Sequence, residues 1–599
     1  MTHRFAALLL SVVVAAACAR TAPPAPPSPE AEADVPIVVP DLTQTPTPAE
    51  FDVVPDLATL TLRDKAAQLI MPWIPGDYWA DDDSAMAATL RLAAEAHVGG
   101  FVVGLGGSAY DLAAKFNALQ RAAPLPLLIA ADLESGPAMR IRGGAAFPGN
   151  MALGAAGRED DAEAVGRVIA REGRAVGIQM VFAPVVDVNN NPANPIINVR
   201  SYGEDPGMVG RMGAAFIRGL RHGGMLATAK HFPGHGDTGT DSHIALPVSS
   251  AARGRLDSVE LVPFRAAVAS GVDAVMSAHI AMEGLTGSDT PATLSAAVLD
   301  TLLRGRLAFH GLIVTDALNM GAIVSRYGAS QAVVMALEAG ADILLMPADP
   351  AAAIDALVEA VHRGDVREER IDSSVARILA AKARVGLFRR RTVDLAAIPR
   401  SVGSAAHETL ARDVTARTLV LVKDSLAQVP LGLEQRLRVL VVACGDEGDT
   451  RVGVQLAAAL RAGGAARVQM LRLFPASGPA SYDSVRAAVP GASAVVVAVA
   501  ARPMAWRPSA VNMPDSLAAL VQQLSRAGVP LVTVAFGSPY LLNQVPGTPA
   551  YLVAWSDNDD AERAAADAML GRIGISGKLP VALPPGFPLG SGLMRVPVR

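Results

Sequence analysis

The chain is poor in aromatic residues, which make up 4% of its 599 positions, so alanine and valine must do much of the core filling. Cysteine is scarcer: Cys18 and Cys444 are the two in the chain. With one of them in an N-terminal export-type segment, no disulfide framework can form. A surplus of positive charge is also lacking. The net charge is -5, 18% of residues are charged, and the short run Arg389-Arg390-Arg391 reads as a solvated face. Nucleic acid is therefore not an expected partner. No Gly-x-Gly-x-x-Gly follows the apolar runs beyond residue 400, which argues against a dinucleotide site. The compact helical His-Glu-x-x-His spacing and the paired cysteines of a zinc site are missing too, so no metal and no other cofactor is expected. The apolar stretch 6–14 is too short to cross a bilayer as a helix.

What is present at the N-terminus is an export pattern. His3 and Arg4 precede the apolar stretch, and small residues lead to Cys18 in Val-Ala-Ala-Ala-Cys. That run resembles a bacterial lipoprotein signal, in which the cysteine becomes the lipidated first residue; an ordinary secretory signal with an incidental cysteine is the alternative. Residues 1–18 are read as this signal and 19–52, rich in Pro and Ala, as an extended tether. The expectation is an exported protein of a bacterial envelope that meets the membrane through a lipid anchor alone.

Residues 53–390 alternate short apolar runs with amphipathic stretches. Eight strands are expected at 69–74, 100–103, 127–131, 180–186, 226–229, 274–278, 312–315 and 343–346, with helices at 160–176, 208–222, 256–270, 295–307 and 329–339. Eight such units make a parallel (β/α)8 TIM-like barrel. Polar residues fall at the ends of five of these strands: Asp132, Asp187, Lys230 with His231, His279 and Asp316. The C-terminal strand ends are where such a barrel carries its active site. After a linker at 391–407 the pattern restarts. Apolar strands at 419–422, 439–443, 494–499, 531–536 and 551–555, with helices at 452–462, 513–527 and 561–570, give 408–599 the look of an α/β sandwich.

The densest chemistry lies in Lys230-His-Phe-Pro-Gly-His-Gly-Asp-Thr-Gly-Thr-Asp-Ser-His243. Its glycines and Pro233 make a bent loop, and they read as a hinge. His231, His235, Asp237, Asp241 and His243 could ligate a metal, but the spacing fits poorly. Asp241 stands two residues before His243. In an extended segment the two side chains share a side, and a carboxylate on one ring nitrogen would orient the imidazole for proton transfer at the other. A merely local hydrogen bond is the competing reading. Asp316, at the end of an apolar strand, can serve as a nucleophile or as the N-cap of a following helix at 317–324.

These residues together carry a family resemblance. Lys-His-Phe-Pro-Gly-His-Gly-Asp-Thr with the later Asp-Ser-His resembles the signature of the β-N-acetylglucosaminidases of glycoside hydrolase family 3. Thr315-Asp-Ala-Leu-Asn-Met320 resembles the family's nucleophile motif; Ala131-Asp-Leu-Glu-Ser-Gly136 through Arg140 and Arg200-Ser-Tyr-Gly-Glu-Asp-Pro206 resemble its sugar-binding segments. The resemblance implies that Asp316 is the nucleophile and that His243, oriented by Asp241, is the acid and base. It implies that Asp132, Arg140, Arg200, Lys230 and His231 bind a terminal N-acetylglucosamine. The implied activity is exo-acting and retaining, on peptidoglycan fragments or related glycans. Phosphorolysis and a non-catalytic wall-binding role are the alternatives. The family's usual Gln-Glu-Gly-Gly-Arg after the aspartate is here Leu133-Glu-Ser-Gly-Pro137, a departure at the expected pocket rim.

Overall fold

The computed structural model describes residues 54–80, 82–432 and 437–598. The expected signal, Cys18 and the tether lie outside them. The first part of the chain places in order β1 (Ile70–Met71), β2 (Trp73–Ile74), β3 (Gly100–Val103), β4 (Gly107–Ser108), β5 (Leu128–Ala131), β6 (Ile141–Arg142), β7 (Met180–Val181), β8 (Leu226–Phe232), β9 (Ala274–Ser277), β10 (Leu312–Val314) and β11 (Leu344–Leu345). Seven of these form one parallel sheet in the order β10-β9-β8-β7-β5-β3-β2. The ends meet. β1, separated from β2 by Pro72, pairs in parallel with β11, and Val314 bridges Ile343. Leu344 N donates to Leu69 O at 2.8 Å and Thr315 N to Ile343 O at 3.0 Å, returning the sheet on itself as a barrel. β3, β5 and β9 are buried along their whole length, as expected of strands covered on both faces. The short pair β4–β6 lies beside the strand-end face.

Helices Glu159–Val176 and Pro206–His222 cover this sheet with their apolar faces. The second starts where chemistry dictates. Asp205 accepts from Gly207 N and Met208 N, and Pro206 fills the first helical position, where a missing N–H costs nothing.

Several boundaries differ from expectation for local reasons. The strand expected at 180–186 leaves its ladder at Val181, because Pro184 has no N–H to give; a lone bridge, Val185 to Lys230, resumes it. The helix expected at 256–270 is two, Arg253–Ser258 and Leu261–Ala269. Pro263 is tolerated only in a first turn, so a helix must begin just before it. The segment expected after Asp316 is a turn, and the helix there is Gly321–Tyr327.

The second sheet holds β12 (Val420–Asp424), β13 (Arg438–Cys444), β14 (Arg467–Leu473), β15 (Ala494–Ala501), β16 (Leu531–Gly537) and β17 (Ala550–Val553) in the order β12-β17-β16-β15-β13-β14. Only β12 runs antiparallel to its neighbour. Alternate residues of β13 serve two cores: Leu440 and Val442 one, Val439 and Val441 the other. The edge strand β14 escapes sequence detection because Arg467 and Gln469 are exposed. The expected linker is packed. Helix Ala405–Thr418 begins within it, His407 Nδ1 meets Glu172 at 2.6 Å, and Arg417 forks onto Asp161 at 2.8 and 3.1 Å. No helix of the described residues is long and apolar enough to cross a membrane.

Candidate active site

Of the strand-end residues, Asp132, Lys230, His231 and Asp316 line one cavity of about 590 Å³, while Asp187 and His279 are not part of its lining. Asp132, Arg140, Arg200, Lys230, His231, His243 and Asp316 all line it. Asp241 lies just beneath His243, 3% exposed.

Asp132 follows β5 directly, and Lys230 and His231 sit on β8. The β8–β9 register shifts between Ala229 and Phe232, which lets both of these adjacent residues face the cavity. Lys230 Nζ donates to Asp132 Oδ1 at 2.6 Å and lies 2.8 Å from Glu134 Oε1. Arg200 forks onto Glu134, Nε to Oε2 at 2.9 Å and Nη2 to Oε1 at 2.8 Å. Arg140 Nη2 lies 3.7 Å from Asp132 Oδ2. Burial opposes charge on Glu134 and Lys230 but is overcome: Arg200 and Lys230 hold the Glu134 carboxyl well below the usual range, and Asp132 and Glu134 raise the Lys230 ammonium. The result is a charged but mutually neutralised floor whose remaining donors and acceptors suit sugar hydroxyls. Glu134 is the centre of this network, and its signal was its place two residues after Asp132. The departure at 133 is a core substitution, since Leu133 is wholly buried; Ser135 lines the cavity.

His231 is fixed from behind. Its Nδ1 donates to Asp187 Oδ2 at 2.7 Å, and Asp187 Oδ1 accepts from His235 N at 2.7 Å and His231 N at 3.3 Å. His235 turns inward to Thr238 and Ser242, and burial pushes its imidazole down to about 4. Two of the three loop glycines sit where the packing leaves no room for a side chain. A Cβ on Gly236 would sit 1.8 Å from Val188 O, and one on Gly234, at φ 136°, would meet Glu260 at 2.9 Å. Freedom is confined to the stretch around Gly239, where a Cβ would meet nothing. Among the described residues no group of three His, Cys, Asp or Glu is placed to hold a metal ion.

Asp316 stands two residues beyond β10, and its Oδ1 accepts from Ala317 N at 2.8 Å. Burial would raise its carboxyl, but His279, His231 and that N–H outweigh it and hold it at about 2. It is an ionised carboxylate at any ordinary pH. His279 Nε2–H donates to Ala317 O at 2.9 Å, steadying the same turn. Across the cavity, His243 Nδ1 donates to Asp241 Oδ1 at 2.7 Å, and His243 N to the same oxygen at 2.9 Å. The oriented dyad and the local turn bond therefore coexist. The imidazole's Nε2 is left for the cavity. An ionised carboxylate and an oriented imidazole in one pocket can supply an attacking oxygen and a movable proton.

The second domain also reaches this cavity, through Arg502, Trp506, Trp555 and Asp557 among others. Sequence reading found none of these, because isolated aromatic and charged residues in a separate sheet carry no spacing signal.

A family model described as "Glycosyl hydrolase family 3 N terminal domain" matches residues 61–381, and one described as "Glycosyl hydrolase family 3 C-terminal domain" matches residues 401–587. The "Beta-N-acetylglucosaminidase/beta-glucosidase" of Cellulomonas fimi is 36% identical over 354 residues, 58% of this chain and 63% of that protein. The chain thus spans under two thirds of that relative's length. "Beta-hexosaminidase LpqI" of Mycobacterium tuberculosis is 36% identical over 338 residues, 54% of this chain and 84% of that protein. Among solved structures, a glycoside hydrolase family 3 beta-N-acetylglucosaminidase from Paenibacillus sp. str. FPU-7 matches with a TM-score of 0.79 and 36% identity, covering 88% of this chain and 99% of that one. "Beta-glucoside phosphorylase BglX" matches with a TM-score of 0.78 and 27% identity, covering 88% and 95%.

Proposed function

The chain belongs to glycosyl hydrolase family 3, and from that premise we propose that it is an exo-acting, retaining β-N-acetylglucosaminidase. The observation that carries this reading is the Asp241–His243 dyad opening on the same cavity as the ionised Asp316. The Asp316 carboxylate attacks the anomeric carbon as the bond to the aglycone oxygen breaks, and His243 Nε2 delivers a proton to that departing oxygen. A water oxygen then attacks the same carbon, Nε2 takes its proton, and the bond to Asp316 breaks. Asp241 steadies the imidazolium that exists before the first half and is formed again in the second. Lys230, Asp132 and Arg200 close the floor around a terminal sugar, which favours removal from a chain end.

The test is nitrophenol release from 4-nitrophenyl N-acetyl-β-glucosaminide. Asp316→Asn should lower the rate by roughly 10⁴-fold or more, the scale of losing a covalent nucleophile. Turnover of the plain β-glucoside alone would sink the reading. We place the natural substrate among peptidoglycan fragments and the protein on a lipid anchor at Cys18. The support is the export-type pattern of residues 1–18. Labelled palmitate entering the wild type and missing from Cys18→Ala checks the anchor.

Phosphorolysis is a second reading, favoured by the imidazole acid, which lacks a carboxylate's repulsion of an anion, and by the phosphorylase among the similar structures. Sugar 1-phosphate forming when phosphate is added would select it.

A further inference from the structure

The residues of the chemistry sit on the barrel, yet one contact to them comes from the other domain. The backbone N–H of Trp506 donates to Asp241 Oδ2 at 3.0 Å. The Trp506 ring stands edge-on to the His243 ring, with centroids 5.0 Å apart and planes at 63°. Both Asp241 oxygens are thereby assigned: Oδ1 serves His243 and Oδ2 serves Trp506.

On the barrel side the dyad is anchored through Ser242, whose Oγ meets His235 Nε2 at 3.2 Å, while the chain around it lies open. Asp237, Gly239 and Thr240 before it and Ile244 after it are exposed. The contributing segment, by contrast, is tied down on both sides of Trp506. Arg502 Nη1 meets Asp557 Oδ1 at 2.8 Å, and Arg507 forks onto Asp446 with two bonds of 2.6 Å. Trp506 itself has φ 62°, a left-handed conformation that bulky side chains adopt only when their surroundings impose it. That conformation is the one that delivers its N–H to Asp241.

We propose that Trp506 is a cross-domain positioning residue for the proton donor. By holding Asp241 Oδ2 it fixes the carboxylate so that Oδ1 points at His243 Nδ1, and its ring confines the imidazole with Nε2 toward the leaving group. The inference rests on His243 being the acid and base of the proposed reaction. It makes the second domain part of the acid-base apparatus.

The test compares two aryl N-acetyl-β-glucosaminides of similar shape. The phenyl glycoside needs a proton on its leaving oxygen, and the 2,4-dinitrophenyl glycoside does not. Trp506→Pro removes the N–H and cannot hold φ 62°; Trp506→Gly keeps the N–H and the conformation but loses the ring. For Trp506→Pro, kcat/KM on the phenyl glycoside should fall at least about tenfold, a fraction of what acid catalysis contributes. On the dinitrophenyl glycoside it should stay within about threefold, which also shows that the variant is folded. Trp506→Gly should fall between Trp506→Pro and wild type, and Trp506→Phe should restore most of the loss. The pH profile of the phenyl reaction should shift in Trp506→Pro. Equal losses on both substrates, or no loss on either, would overturn the inference while leaving the proposed activity intact. A wild type that cleaves neither glycoside would overturn the proposed activity itself.

Discussion

Two aspartate–histidine pairs built to the same local design face the same cavity. In both, Nδ1 meets a carboxylate oxygen at 2.7 Å. They differ in what surrounds them. In the Asp187–His231 pair the side chains are 0% and 7% exposed, and Asp187 is saturated by two further backbone N–H groups. His231 Nε2 faces Arg200 Nη2 at 3.5 Å. In the Asp241–His243 pair the imidazole is 24% exposed and its Nε2 meets the cavity. The hydrogen bond to the carboxylate fixes a tautomer in both cases. In the proposed reaction, the neighbour of the second nitrogen decides whether the ring holds a sugar or moves a proton.

Substitution at each histidine should separate the two. His243→Ala should lower kcat/KM on the phenyl glycoside by roughly 10²- to 10⁴-fold, the worth of general acid-base catalysis. The loss should shrink on a 2,4-dinitrophenyl glycoside. His231→Ala should act on binding. Loss of a hydrogen bond in a charged network is worth about 1.5–3 kcal/mol, or about 10- to 150-fold in kcat/KM. That loss should be indifferent to the leaving group. Steady-state kinetics on the two aryl glycosides read both effects, and an equal dependence on leaving group would erase the distinction.

The third histidine of the loop sharpens the comparison through pH. His235 has no carboxylate on either ring nitrogen, and burial lowers it to about 4 from an ordinary value near 6.5. The unfolded chain therefore binds a proton there that the folded one refuses between pH 6.5 and 4. Its contribution to stability is fully present above pH 6.5 and is lost as pH falls toward 4, by up to about 3 kcal/mol. His235→Asn should flatten this part of the denaturation-versus-pH curve. Asp316, held at about 2, keeps its charge through the same window, so loss of the nucleophile by protonation does not enter.

The groups proposed for catalysis could be picked out in sequence because each is local. Asp316 ends an apolar strand, Asp241 and His243 are two apart, and Lys230 and His231 follow four apolar or β-favouring residues. The barrel was legible for the same reason: burial on both faces leaves continuous apolar runs. What stayed hidden depends on contacts between distant segments. Glu134 matters because Arg200 and Lys230 arrive from other strand ends, and Trp506 because a second domain folds over the mouth. The steric demand at Gly234 and Gly236 was hidden similarly. Their need is close approach to Glu260 and Val188, which no spacing within the loop reveals.

Another carboxylate–imidazole pair lies outside the cavity lining and gives the smallest effect. His407 Nδ1 meets Glu172 at 2.6 Å where the helix Ala405–Thr418 packs on the barrel. Glu172, wholly buried, also accepts from Ala145 N at 3.0 Å and Gly403 N at 3.2 Å. Here a carboxylate–imidazole bond has no cavity on its other side, so on the argument above it serves only the junction. His407→Ala should leave Glu172 with two of its three donors and cost about 1–3 kcal/mol, the range for a weakened buried polar group. Thermal or urea unfolding reads that loss. Activity per folded molecule should match wild type on both aryl glycosides, because neither the sugar floor nor the dyad touches His407. A change in leaving-group dependence in this variant would mean that the junction transmits to Trp506, and exposure of the second nitrogen would no longer suffice to assign the roles.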